Sequence, residues 1–146
     1  MVKHHDDIRA NIVIDIFRSS NLLGRVGGRL ASQTGLASVQ QWILLDTISQ
    51  EGEVSLKDLR QNTLVTKQNI TGMVERLKQS GYVVAYEDPV DRRVTRVQLT
   101  PKGEKVLELL EPLTYESNKK TFSKFTDDEL KTFASLLDRL VNDLNE

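Results

Sequence analysis

The chain has 146 residues, a charged fraction of 28% and no cysteine. This length is enough for one domain with a hydrophobic core. The lack of cysteine excludes a disulfide framework, a zinc–thiolate cluster and a thiol nucleophile. No apolar run approaches the roughly 20 residues that cross a bilayer. Because the start, Met1–Arg9, is polar and unlike a signal peptide, we expect a cytoplasmic protein that does not contact membranes.

The net charge of −1 is distributed unevenly along the chain. Residues 57–105 contain ten Lys or Arg and six Asp or Glu, which gives this segment a charge of +4. Residues 1–56 carry −1 and residues 106–146 carry −4. A basic middle between acidic ends is a local electrostatic footprint of the kind found in nucleic-acid-binding proteins, although composition alone does not decide the function.

Two helices are predicted in the first third of the chain. Apolar residues at steps of three and four favour a helix over Ile8–Ala31. The glycines at 24, 27 and 28 lower its helix propensity and either admit a close neighbour or form a weak point. After the break at Thr34-Gly35, a second helix is predicted over Leu36–Ser49.

The middle segment has the pattern of a helix–turn–helix followed by a β-hairpin. Ser55 and Asp58 have the spacing of a capping box, and Gly81 is placed to end the second helix of the pair. The predicted elements, in order, are a strand residue at Val54, a helix over Leu56–Asn62, a turn at Thr63–Val65, a helix over Thr66–Ser80, and strands over Tyr82–Glu87 and Val94–Leu99.

Two further helices are predicted after the hairpin. Thr100-Pro101 is a typical helix start, and Pro112 is expected to kink or split the helix that follows. A second capping box at Thr126–Glu129 starts a last helix that reaches Leu144 with an apolar seam. The predicted fold is therefore mainly α, with six helices, a small hairpin and a winged helix–turn–helix.

This arrangement suits binding to double-stranded DNA. A recognition helix presents side chains from its first turns to base edges in the major groove. Here that helix would present Thr66, Lys67, Gln68, Asn69, Thr71 and Arg76. The hairpin tip holds Asp91, Arg92 and Arg93. Arginine suits the negative potential of a narrow minor groove, and an aspartate beside it can orient the guanidinium by bidentate pairing.

The hairpin resembles the wing of the MarR family of bacterial transcription regulators. Residues Asp91–Gly103 match the family pattern DxRxxxVxLTxxG at every fixed position, and Leu77 and Gly81 match its upstream LxxxG. One departure is Ala37, where many members have a capping hydroxyl residue; Ser38 is the alternative cap and a candidate phosphate contact.

The resemblance implies a homodimer on a pseudo-palindromic operator, with Arg93 as the minor-groove arginine and Asp91 as its partner. It also implies one MarR-like domain over residues 1–146, in which segments 1–33 and 104–146 form the dimer and 34–103 the DNA-binding lobe. The residues agree with a dimer, because two terminal helices with apolar seams cannot both be buried by one small lobe. The resemblance further implies a crevice for a phenolic or other amphipathic effector that releases a repressor from DNA.

Several alternatives stay open at this point. Phe17, Trp42 and Tyr115 are candidates for the effector crevice, but aromatic residues at helical spacing also occur as ordinary core. A winged-helix module that binds proteins instead of an operator is the alternative function. An enzyme is not expected, because the sequence has no glycine-rich phosphate loop, nucleophile elbow or metal-ligand spacing. We expect neither a cofactor nor a metal.

Overall fold

The computed structural model describes residues 6–61 and 69–145. These ranges contain six helices and three strands: α1 (Ile8–Ser32), α2 (Val39–Glu51), β1 (Glu53–Ser55), α3 (Leu56–Gln61), α4 (Ile70–Gln79), β2 (Val83–Glu87), β3 (Thr95–Leu99), α5 (Pro101–Thr121) and α6 (Asp127–Leu144). The predicted fold class is confirmed: the chain is mainly helical, with a small three-stranded sheet and a winged helix–turn–helix. In the part of the chain that the structure describes, no helix has both the length and the apolar character needed to span a bilayer.

The helix α1 runs without interruption through its three glycines. Of the two predicted roles for them, close approach is the one found at Gly27, where an added Cβ would lie 2.6 Å from Val39 Cγ2. Gly24 and Gly28 have no such neighbour within 4 Å. Gly27 and Ala31 are buried, so this part of α1 forms the contact with α2.

The helix α2 begins three residues later than predicted. Ser38 is the N-cap, and its hydroxyl oxygen accepts a hydrogen bond from the Gln41 backbone N–H at 3.2 Å. The Gln41 side chain in turn accepts a bond from the Ala37 N–H at 3.0 Å. The missing hydroxyl at Ala37 is therefore compensated by its neighbours. Leu36, predicted to be helical, is buried in the preceding loop.

The sheet is antiparallel, with strand order β1-β3-β2. Val97 in the central strand pairs with Val54 on one side and Ala85 on the other, and this face covers the core. Arg96 and Gln98, on either side of Val97, point to the outer face of the sheet.

The hydrophobic core belongs to the first of two compact units, which ends at Glu111. The helix α4 contributes its inward row to this core, and its opposite face stays exposed. The largest fully buried side chains are Leu44, Leu45, Ile48, Leu59, Ile70, Leu77, Val83, Val97 and Leu110.

The end of α4 is tied to the first turn of α5. Gly81 has a φ of +82°, which is the conformation predicted for a glycine that ends a helix. The Thr100 hydroxyl donates to the Gly81 carbonyl at 2.5 Å, and Lys102 Nζ donates to the Ser80 carbonyl at 2.7 Å. A Cβ at Gly103 would collide with the Tyr82 carbonyl oxygen.

The sequence predicts a kink or a split at Pro112; because α5 is continuous from Pro101 to Thr121, the split is wrong. A proline removes one backbone hydrogen bond, and good helix formers on both sides maintain the remaining ones. Pro112 is instead the residue at which the second compact unit begins.

The second unit contains the rest of α5 and α6. The predicted capping box is confirmed: Glu129 N donates to the Thr126 hydroxyl oxygen at 3.1 Å, and Thr126 N donates to the Glu129 carboxylate at 2.9 Å. Phe125 packs against Phe122 and Phe133, with ring centroids 5.9 and 6.1 Å apart. None of the α6 side chains is buried, so its apolar seam is accessible in the single chain.

Candidate nucleic-acid interface

The described part of the predicted recognition helix presents a polar outer face. Asn69 is the N-cap residue of α4, and Asn69, Thr71 and Arg76 are all exposed. Ile70, Met73, Val74 and Leu77 hold the opposite face in the core. Three further residues predicted to read DNA, Thr66, Lys67 and Gln68, lie outside the described residues.

Arg60 joins this surface and was not singled out by the sequence analysis. Its guanidinium Nη2 donates to the Thr71 hydroxyl at 2.9 Å, linking the end of α3 to the first turn of α4. The first helix of a helix–turn–helix crosses the DNA backbone, and a basic residue in its last turn is the signal that could have identified Arg60.

The wing tip carries a preformed arginine–carboxylate pair. Arg93 Nε and Nη2 donate to the two oxygens of Asp91 at 3.1 and 3.2 Å, and Arg93 N also donates to Asp91 at 3.1 Å. This is the bidentate pairing predicted from the sequence. The Arg93 guanidinium lowers the pKa of Asp91. The Arg93 side chain is nevertheless 91% exposed, and Arg92 beside it is also exposed.

Asp88 organises the base of the wing, a role that the sequence analysis did not assign. One carboxylate oxygen accepts the backbone N–H groups of Val90 and Asp91 at 2.8 and 3.0 Å. The other accepts Arg96 Nε at 2.7 Å. The bond from Arg96, followed by the two backbone bonds, lowers the pKa of Asp88 to about 2. The Asp-Pro turn signal indicated the bend but not this partner.

Arg96 extends the arrangement across the sheet. Its Nε lies 3.8 Å from the Glu53 carboxylate on β1, and its register partner on β2 is Tyr86. A hydrogen bond with Glu53 raises the pKa of Tyr86. The outer face of all three strands is therefore connected by polar side chains.

The other predicted site residues occupy different environments. Ser38 caps α2, and Trp42 is partly buried against the core. Phe17 is 72% exposed and Tyr115 is 63% exposed, in the first and second compact units respectively. The core interpretation therefore applies to Trp42 but is wrong for Phe17 within this chain, because most of the Phe17 side chain is exposed. Among residues 6–61 and 69–145, no three His, Asp or Glu side chains are arranged so that they could hold a metal ion.

Comparisons with known proteins agree with this geometry. The sequence model of the MarR family matches residues 34–94, which cover α2 to the wing tip. The transcriptional activatory protein BadR of Rhodopseudomonas palustris is 33% identical over 98 residues, which cover 65% of this chain and 55% of BadR. The chain therefore spans just over half the length of that relative. The transcriptional repressor IacR of Pseudomonas putida is 27% identical over 97% of this chain and 87% of IacR.

Solved structures share the fold over nearly the whole chain. A MarR-like transcription regulator from Bacillus cereus is 26% identical, with a TM-score of 0.80 over 93% of this chain and 97% of that chain. A mutant MarR from E. coli, complexed with operator DNA, is 24% identical and has a TM-score of 0.74 over 92% and 99% of the two chains. The organohalide-sensing regulator RdhR in its 2,4-dichlorophenol-bound form is 16% identical and has a TM-score of 0.83 over 95% and 82%. Taken with the wing sequence and the helices of the described chain, these similarities show that the chain has the fold of the MarR family and resembles its transcription regulators in sequence.

Proposed function

We propose that the chain is a sequence-specific transcription regulator that binds double-stranded DNA as a homodimer. The recognition helix α4 enters the major groove, and the wing places Arg93 in the adjacent minor groove. The observation that carries this proposal is the wing tip, where the Arg93 guanidinium is paired with Asp91 and its side chain is 91% exposed. An exposed arginine that is oriented by a carboxylate suits binding to phosphate groups or to the negative potential of a narrow minor groove.

The accessible apolar faces of the terminal helices support the dimer. In α1, Ile8, Ile12 and Leu23 share one face and are 71%, 50% and 49% exposed. In α6, Phe133, Leu137 and Val141 are 42%, 40% and 51% exposed. Apolar rows of this size on a single chain are typical of an interface. We therefore assign segments 1–33 and 104–146 to dimerisation and 34–103 to DNA binding.

The dimer determines the form of the operator. A two-fold axis places two recognition helices about one DNA turn apart, roughly 34–36 Å, and requires a pseudo-palindromic site. The net charge of −4 on residues 106–146 opposes DNA binding only if that segment approaches the duplex, and our assignment keeps it at the dimer interface. A chromosomal operator also places the protein in the cytoplasm.

For the direction of regulation we propose repression that is relieved by a small amphipathic or phenolic effector. The name of IacR supports repression, although BadR is named as an activatory protein. RdhR was solved with 2,4-dichlorophenol, which supports a phenolic ligand for this fold. Phe17, Trp42 and Tyr115 are the candidate aromatic contacts. Release by the effector is a shift between two spacings of the recognition helices.

Mapping of bound genomic fragments tests the proposal and identifies the operator. The recovered sequence should be pseudo-palindromic, and its neighbouring genes should indicate the effector. Binding should weaken by about 10³–10⁵ between 50 and 200 mM salt if the dimer makes about 6–10 phosphate contacts. Affinity for a protein partner without any salt-dependent DNA binding would favour the alternative, a protein-binding winged-helix module.

A further inference from the structure

Three charged side chains connect the wing loop to the far edge of the sheet. We call Glu53, Asp88 and Arg96 the wing-base network. Glu53 lies on β1, Arg96 on the central strand β3, and Asp88 directly after β2. Arg96 Nε is 2.7 Å from an Asp88 oxygen and 3.8 Å from a Glu53 oxygen.

The loop that follows β2 depends on polar contacts for its order. Val90, at its tip, is 96% exposed, so its side chain provides no packing anchor. Instead, Asp88 accepts the backbone N–H groups of Val90 and Asp91, and its own N–H donates to the Val94 carbonyl at 2.8 Å. Asp88 is thus bonded to both sides of the loop that presents Arg93.

We infer that Asp88 and Arg96 are positioning residues for DNA binding, which hold loop 88–94 so that Arg93 meets the duplex in one orientation, and that neither contacts DNA itself. The inference rests on the proposed function. It assigns two arginines of the same hairpin to different roles. Arg93 binds DNA, whereas Arg96 binds the loop.

The exposures of the side chains support this division. Arg93 is 91% exposed and its guanidinium has only the tip carboxylate as partner in the described chain. Arg96 is 35% exposed and Asp88 is 12% exposed, so their contact lies close to the sheet surface. A charge-assisted bond in such a place is retained better against competing water and salt than one at the loop tip.

The sign of the effect separates positioning from simple electrostatics. Removing an aspartate beside DNA takes away a repulsive charge and, by Coulomb attraction alone, should strengthen binding. If Asp88 orders the loop, its removal should weaken binding, because the loop must then be ordered when DNA binds. The two explanations predict opposite changes for the same variant.

The experiment compares Asp88→Ala and Arg96→Gln with Glu87→Ala, using full-length protein and its mapped operator. Glu87 is an exposed acid one residue from Asp88 and is not part of the network, so Glu87→Ala is a matched change of charge. We expect Asp88→Ala and Arg96→Gln to weaken binding by about tenfold each. Glu87→Ala should leave affinity unchanged or slightly increased.

The salt dependence provides a readout that a direct DNA contact would change. The slope of log affinity against log salt should be the same for Arg96→Gln as for the unmodified protein, because no phosphate contact is lost. A smaller slope for Arg96→Gln would show that Arg96 binds phosphate and would overturn the inference. Unchanged or stronger binding by Asp88→Ala would also overturn it.

A second variant and a DNA-free measurement keep the inference testable in every case. Asp88→Asn retains an oxygen for the two backbone bonds and should lose less affinity than Asp88→Ala; it also replaces Asp88→Ala if that variant does not fold. Amide exchange of Val90 and Asp91 should be faster in Asp88→Ala without DNA. If the unmodified protein binds no duplex, the proposed function fails, whereas unchanged exchange rates refute the loop-ordering role separately.

Discussion

Replacing Arg93 by alanine should weaken operator binding without changing the fold. The side chain is 91% exposed and forms its bonds with Asp91 at the tip of the wing, so its removal leaves the core intact. Exposed ion pairs contribute little to stability. We therefore expect no measurable change in Tm or in oligomeric state.

The expected loss of affinity follows from the number of charges removed. Each phosphate that is neutralised contributes a salt slope of about 0.9, which corresponds to about a fivefold loss of affinity at 0.15 M salt. A homodimer carries two copies of Arg93, so the electrostatic loss is about 30-fold, and the salt slope should decrease by about 1.8. Loss of the shape-specific contact in the minor groove adds to this value.

Fluorescence anisotropy with a labelled operator at several salt concentrations between 50 and 200 mM would measure both quantities. Arg139→Ala removes the same charge from an exposed site in α6 and serves as the control, with little change expected. Unaltered affinity and an unaltered slope for Arg93→Ala would refute the assignment of the wing to DNA.

Three other predictions concern the joint after α4, the wing carboxylate and the dimer. Gly103→Ala should destabilise the fold by about 1–3 kcal/mol, because its Cβ collides with a backbone carbonyl. Gly72→Ala, at an exposed position in α4, should stabilise the fold by about 0.5–1 kcal/mol. Equal denaturation midpoints for the two variants and the unmodified protein would contradict both expectations. Carboxyl NMR should place the pKa of Asp88 at about 2 instead of 3.8. The contribution of Asp88 to the free energy of unfolding is therefore fully present above pH 3.8 and is lost as the pH falls towards 2. A titration midpoint near 3.8 would exclude the ion pair with Arg96. Leu137→Glu should convert the dimer to monomers in sedimentation experiments, whereas a persistent dimer would place the interface elsewhere.

Local sequence signals predicted most of the elements. Gly81 and the Thr126–Glu129 box end or start helices through bonds between residues close in sequence, and the structure places both as predicted. The predicted start of α2 was wrong because it depends on which of several neighbouring residues acts as the N-cap. Ser38 accepts the Gln41 N–H, and the Gln41 side chain accepts the Ala37 N–H, so the cap lies at Ser38. Such competition is not visible in hydrophobic periodicity.

The candidate site was predictable only where its partners are close in sequence. Asp91 and Arg93 are two residues apart, and their pairing was expected from the motif. Asp88 and Arg96 are eight residues apart on opposite arms of the hairpin, and their contact depends on the strand register. The neighbouring Glu53 comes from a strand that precedes the helix–turn–helix. Only the assembled sheet brings these charges together.

The bonds from Thr100 and Lys102 to the carbonyl end of α4 have a mechanical consequence. They connect the end of the recognition helix to the start of α5, and Gly103 allows α5 to begin directly against the Tyr82 backbone. We expect a rotation of the first turn of α5 to tilt α4 with it. Substitutions at Thr100 or Lys102 are therefore expected to change the orientation of α4 without altering any of its exposed side chains.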